Sequence, residues 1–199
     1  MRLPAHLLEG TAAYRLWQAP FARQKFEPIL RHNDVGRARR VLDVGCGPGT
    51  STGFFKTADY LGLDLNEAYL AYARRRYGRK FLTIDVREYT GEGDGPFDFI
   101  LVNSFLHHVD DAAAVGILRR LARLLDPQGF VHILDLVLPT EPGLARFLAQ
   151  SDRGAFPRSP GRWHAMFDEV FQGVVFEPYC LTLGGVPLWH MVYFKGGPK

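Results

Sequence analysis

Cysteine is nearly absent from this chain, with two in 199 residues. That excludes a fold held by a disulfide framework and leads us to expect a reduced, cytoplasmic setting. One of the two, Cys46, lies between glycines in a loop that a disulfide would distort. Long apolar runs are missing as well. No stretch approaches membrane-spanning length, and the N-terminal MRLPAHLLEGTAAYRLW, broken by Pro4 and Gly10, lacks the continuous apolar core of a signal peptide. No Cys and His set has metal-ligand spacing, so no metal is expected, and there is no internal repeat or low-complexity tract. An excess of one charge is also lacking, since 24 Lys and Arg face 21 Asp and Glu for a formal +3. Basic clusters occur at Arg37, Arg39 and Arg40, at Arg74 to Arg76 with Arg79 and Lys80, and at Arg119, Arg120 and Arg123. Each falls at a helix end or outer face, where cations suit the macrodipole, so a nucleic-acid footprint is not expected.

What is present describes one soluble globular domain, 13% aromatic and 23% charged, long enough to bury a large core without staples. Its most informative stretch is VLDVGCGPGT at 41 to 50, an apolar strand running into Gly45, Gly47 and Gly49. Glycine accepts positive φ and lets a ligand approach the main chain, so this loop is built to hold a ligand. A dinucleotide fingerprint would need a third glycine where Thr50 stands, which puts an NAD-dependent oxidoreductase last among the readings. Asp43 would repel phosphates but would welcome a ligand carrying an amino group and a sulfonium cation.

Three more apolar strands follow with a polar residue at the end of each: LGLDLN with Asp64, KFLTID with Asp85, and FDFILVN with Asn103. Asp64 lies 21 residues after Asp43, a spacing at which a carboxylate on the neighbouring strand takes ribose hydroxyls. The turn DPQG at 126 to 129 leads into a fifth strand, FVHILDLVL, and helical patterns start at Glu67 and after Asp110 or Asp111. Residues 139 to 173, rich in Pro, Gly and Arg, read as an irregular segment that makes a poor core. VVFEPYCLTL and VPLWHMVYFK, joined by Gly184 and Gly185, read as a terminal hairpin.

With VLDVGCGPGT, GLDLN, the Ile84–Asp85 pair, FDFILVNSFLHHV and LLDPQGFVHILDL in this order, the sequence resembles the class I S-adenosylmethionine-dependent methyltransferases over about residues 37 to 137. It is most similar to the small-molecule branch of ubiquinone and menaquinone biosynthesis methyltransferases. The resemblance implies an α/β, Rossmann-like doubly wound sheet of seven strands in the order 3-2-1-4-5-7-6, with the last strand antiparallel. It further implies an N-terminal helical lid over 1–36, a cofactor-binding core over 37–137, an acceptor-side insertion over 138–173 and a hairpin over 174–199. The cofactor would be S-adenosyl-L-methionine, leaving as S-adenosyl-L-homocysteine, and the acceptor a small molecule methylated at oxygen, carbon or nitrogen by a monomer or homodimer.

By the same resemblance, Gly45 and Gly47 pack against the amino acid moiety and Asp43 holds its ammonium group, with Cys46 and Gly49 in the same loop. Asp64, with Leu65 beside it, takes the ribose hydroxyls; Asp85 takes the adenine amino group with the Val86 backbone alongside; Asn103, with Ser104, offers its carbonyl to the ammonium. Tyr14, Trp17 or Lys25 would touch the methionine end from the lid. Some members pair a histidine of an LHH loop with an acidic residue of the fifth strand, which makes His107, His108 and Asp135 the candidates for a general base.

The other histidines read otherwise: His132 as a hydrogen-bonded core or surface residue, His6 and His32 as partnerless, and His164 and His190 as isolated. Arg153, Arg158 and Arg162 read as solvated charges on a surface connection, or as contacts for an anionic acceptor. Two other functions remain as alternatives. One is a cofactor-binding partner protein without catalysis. The other is a nucleic-acid methyltransferase, against which NSFLHH lacks the prolines and adjoining aromatic that stack an extruded adenine.

Overall fold

The computed structural model describes residues 21–151 and 154–199. His6, Tyr14, Trp17 and Arg153, and with them most of the expected lid, lie outside the described residues. Seven strands make one sheet: β1 (Arg40–Val44), β2 (Asp59–Asp64), β3 (Lys80–Thr83), β4 (Phe97–Asn103), β5 (Leu125–Leu136), β6 (Gln172–Leu183) and β7 (Val186–Gly197). Their order is β3-β2-β1-β4-β5-β7-β6, as the resemblance implies. The first five run parallel, and β7 is antiparallel to both β5 and β6. The hairpin between β6 and β7 turns on Gly184 (φ 58°) and Gly185 (φ 82°), two positive values in succession that a two-residue turn requires.

The helices among the described residues are α1 (Ala22–His32), α2 (Glu67–Tyr77), α3 (Asp111–Leu124), α4 (Leu144–Ser151) and α5 (Pro160–Val170). Asn66 caps α2 by accepting from the Tyr69 amide, and Asp110 rather than Asp111 caps α3 through the Ala113 amide. Strand residues alternate between the sheet's faces. Val41 packs with Phe26 and Ile29 of α1 and Leu70 of α2, whereas Leu42 and Val44 pack with Leu118 and Leu121 of α3 and Phe167 of α5. That alternation puts the Asp43 side chain on the α1 and α2 side of the sheet.

Two expectations need correction. Residues 139 to 173 are not a poor core segment, because α5 buries Trp163, Met166, Phe167 and Val170 at i, i+3, i+4 and i+7. Full burial of apolar side chains of this size stabilises by about 1.5 to 3 kcal/mol each. The Pro- and Gly-rich stretch is the start of that helix, with Ser159 accepting from the Arg162 amide and Pro160 in the first turn. The second correction concerns DPQG, which does not precede β5 but lies within it. Leu125 pairs with Phe97, and the register then shifts before Phe130 meets Phe99. The turn chemistry survives inside this irregularity, since the Asp126 carboxylate accepts from the Gln128 amide at 2.9 Å.

Candidate active site

The carboxyl ends of β1, β2 and β4 converge on the glycine loop. Gly45 and Cys46 both donate to the Leu63 carbonyl at the end of β2, at 2.8 and 3.0 Å. Gly45, Gly47 and Gly49 all have positive φ, between 54° and 77°. A Cβ at Gly45 would come within 3.1 Å of the Phe105 ring and one at Gly49 within 2.9 Å of Tyr77, whereas at Gly47 it would enter open space. The main chain at Gly47 is therefore bare because its conformation disfavours a side chain, not because a neighbour does.

Asp43 is a buried carboxylate satisfied on one oxygen only. It is 1% exposed; Oδ2 accepts from the Tyr60 hydroxyl at 2.6 Å, while Oδ1 has no hydrogen-bond partner among the described residues. Burial pushes its pKa up to about 7; the Tyr60 hydrogen bond opposes that rise and the nearby Asp64 charge adds to it. Asp43 lines a cavity with Lys25 and Phe26 of α1, Gly45, Cys46, Ser51, Asn103 and Ser104. In it the Lys25 ammonium donates to the Ser104 hydroxyl at 3.0 Å, and Ser104 donates to Asn103 Oδ1 at 3.2 Å. Ser104 itself has φ 54°, a left-handed conformation unusual for a residue with a side chain. Lys25, one of the residues expected to reach the methionine end, lines this cavity.

A second, more apolar cavity of about 280 Å³ adjoins the first across Gly45. Val44, Leu63, Leu65, Ile84, Val86, Phe105, Val109 and Ile117 give it an apolar lining, to which Asp64 and Asp85 add carboxylates. It accounts for Leu65, an apolar side chain 66% exposed. Asp64 fixes the loop by accepting from the Gly47 amide with Oδ2 and from Asn66 with Oδ1, each at 2.8 Å. Asp85 forms a bidentate pair with Arg87, whose hydrogen bonds hold the carboxyl below the usual carboxylate range.

The candidate bases separate. His107 is buried, with Nδ1 at 2.5 Å from Asp135 Oδ1, and lines neither cavity. His108 is exposed, lines the apolar cavity, and has its ring centroid 4.2 Å from that of His107 with the planes tilted by 36°. Asp135 also accepts from the Leu106 amide at 2.8 Å and from its neighbour Leu136 at 2.7 Å. Arg158 and Arg162 do not point at an acceptor, because both guanidinium groups are turned onto Asp111. Arg158 is moreover 5% exposed, so the reading of solvated charge is wrong for it. His32 is not partnerless, since Nε2 lies 2.7 Å from Glu177. His132 is core, stacked on Phe99 and bonded to the Tyr193 hydroxyl, and burial pushes its pKa down. Tyr60, Arg87 and the Arg158 contacts carried no recognisable sequence signal.

The methyltransferase domain family matches residues 41–129 of this chain. Over 186 aligned residues the chain is 30% identical to the ubiquinone biosynthesis O-methyltransferase of Pseudomonas paraeruginosa, an alignment covering 75% of this chain and 78% of that one. The chain belongs to the class I S-adenosylmethionine-dependent methyltransferases. This methyltransferase is also 35% identical over 127 residues to the trans-aconitate 2-methyltransferase of Variovorax paradoxus, covering 61% of this chain and 48% of that enzyme. Its fold matches the N-methyltransferase NodS from Bradyrhizobium japonicum WM9, solved with S-adenosyl-L-homocysteine, with a TM-score of 0.75, 14% identity and coverage of 97% and 95%. No helix among the described residues of the methyltransferase is long and apolar enough to cross a membrane.

Proposed function

We propose that this methyltransferase moves the methyl group of S-adenosylmethionine to a small organic acceptor at oxygen, carbon or nitrogen, in the cytoplasm. The name of its ubiquinone-biosynthesis relative favours oxygen. The observation that carries the reading is Asp43, a buried carboxylate whose Oδ1 lacks a partner among the described residues, beside a bare glycine loop. An unpaired buried carboxylate is costly, and a ligand ammonium offsets that cost. Asp43 then holds the ammonium together with Asn103 and Ser104, Gly45 and Gly47 pack against the amino acid moiety, and Cys46 and Gly49 shape the loop. Asp64 and Leu65 take the ribose side, and Asp85 and the Val86 backbone the adenine in the apolar cavity. Residues 1–36 serve as the lid and 138–173 as the acceptor-side insertion.

The sulfonium supplies an already activated methyl carbon, so the chain's own residues chiefly align the acceptor and exclude water. Where the acceptor atom carries a proton, His107 or His108 serves as base, the first oriented by Asp135 and the second lining the apolar cavity. His107 Nδ1 lies 2.5 Å from Asp135 Oδ1, a contact that orients its ring. Calorimetric titration with S-adenosylhomocysteine beside NAD tests the reading. Binding of the former alone is expected; binding of NAD, or of neither, would overturn it.

A further inference from the structure

One guanidinium closes over the loop that carries His107 and His108. Arg158 Nη1 donates to the Leu106 carbonyl at 2.9 Å, Nη2 to the Val109 carbonyl at 2.6 Å, and Nε to Asp111 at 2.6 Å. Its plane lies 4.6 Å from the Trp163 ring, and the Trp163 indole donates to the Leu136 carbonyl at 2.9 Å. The Arg158 carbonyl in turn accepts from the Leu138 amide at 2.8 Å. A single residue therefore ties the helical turn Leu106–His108, the start of α3 and the segment after β5 into one assembly.

The two carbonyls it holds bracket the site. Leu106, one residue before His107, is held on both sides, its N–H by Asp135 and its carbonyl by Arg158. Val109, three residues on, forms part of the wall of the apolar cavity with His108 and Phe105. The same segment fixes His107 from the other side, for Phe156 donates to the His107 carbonyl at 3.0 Å. Gly154 lies so close that a Cβ would stand 1.9 Å from the imidazole Cδ2. Burying a guanidinium is unfavourable unless its donors are matched, and here each nitrogen donates, two to carbonyls of one short loop and one to Asp111 at the start of α3. Bulk packing alone would be served as well by an apolar side chain; a planar fork with fixed donor directions sets the geometry of two carbonyls, which lysine cannot reproduce.

We propose that Arg158 is a positioning residue for methyl transfer, holding the Leu106 and Val109 carbonyls so that His107 meets Asp135 and the cavity wall is set for the cofactor. It touches neither cofactor nor acceptor. The inference rests on the proposed function, and retained binding of S-adenosylhomocysteine by the unaltered protein keeps a failure here distinct from a failure there.

The test compares the unaltered protein with Arg158→Met and Arg158→Lys, each at a temperature where circular dichroism shows it folded. It reads S-adenosylhomocysteine affinity by calorimetry and the far-downfield imidazole N–H resonance of His107 by proton NMR, assigned by its loss in His107→Gln. Arg158→Met is expected to weaken affinity about tenfold and to shift or broaden that resonance, with Arg158→Lys little better. Free guanidinium is expected to restore both in part. A folded Arg158→Met with unchanged affinity and resonance would overturn the proposal. Should neither Arg158 variant fold, Asp111→Asn, altered at a half-exposed carboxylate that orients the guanidinium, is expected to shift the same resonance, and an unshifted one would overturn the proposal.

Discussion

Two buried aspartates stand at the ends of β1 and β5, and they are opposites. Asp135 accepts three hydrogen bonds from His107 and the amides of Leu106 and Leu136, whereas Asp43 has only the Tyr60 hydroxyl and leaves Oδ1 without a partner among the described residues. The difference separates a carboxylate that organises the protein from one with an oxygen left over, which the proposed function gives to a ligand. Satisfied buried acceptors rigidify, while an unsatisfied one stores a cost that binding can remove.

The largest break in this comparison is Asp135→Ala. It strands three buried donors at once and is expected to lower unfolding free energy by about 3 to 5 kcal/mol in urea titrations. Asp43→Asn should do the reverse to the unliganded protein. Folding raises this group's pKa from 3.8 to about 7, so the folded state binds the extra proton. Stability from this site is fully present below the unfolded pKa and lost as pH rises from about 4 towards 7, a change on the order of 4 kcal/mol. Asparagine has no charge to bury, so at pH 8 the variant is expected to be more stable than the unaltered protein, yet to bind S-adenosylhomocysteine about 2 to 4 kcal/mol more weakly. Thermal melts at pH 5 and pH 8 beside calorimetry would show whether stability and affinity part in this way.

Smaller effects sharpen the contrast. Asp64 already accepts from two amides and would add the ribose hydroxyls, so Asp64→Ala should cost about 1 to 3 kcal/mol of cofactor affinity; unchanged affinity would remove it from the site. Arg162 pairs with the same Asp111 as Arg158 but is half-exposed, and Arg162→Ala should change stability by no more than about 1 kcal/mol in urea titrations.

The two ends of the sheet also differ in how well the sequence announced them. The cofactor side is built from local signals: a strand running into Gly45, Gly47 and Gly49, then Asp64, Asp85 and Asn103 each at or just after a strand end. Strand order and the antiparallel β7 followed from the ordered motifs. Local patterns did not extend to the side-chain partners. Tyr60 is one apolar-looking strand residue among many until β2 pairs with β1 and brings it to Asp43. Arg158 is separated from Asp111 by 47 residues, and nothing in PRSPGRW distinguishes a buried fork from a solvated one. Proline and glycine there suggested irregular chain, although Ser159, Pro160 and the Trp163, Met166, Phe167 spacing form a capped amphipathic helix. His107 and His108 were adjacent equals in sequence; the turn at 106 to 108 sends one to Asp135 and the other to the apolar cavity.

The central claim is that Asp43 is held short of a partner for the cofactor's ammonium, and proton linkage tests it most directly. S-adenosylhomocysteine should be titrated into the protein near pH 6 in buffers of different ionisation enthalpy. With the carboxyl protonated in the free protein and ionised against an ammonium in the complex, binding is expected to release close to one proton, and Asp43→Asn to release none. Binding by the unaltered protein without proton release between pH 6 and pH 7 would contradict the account.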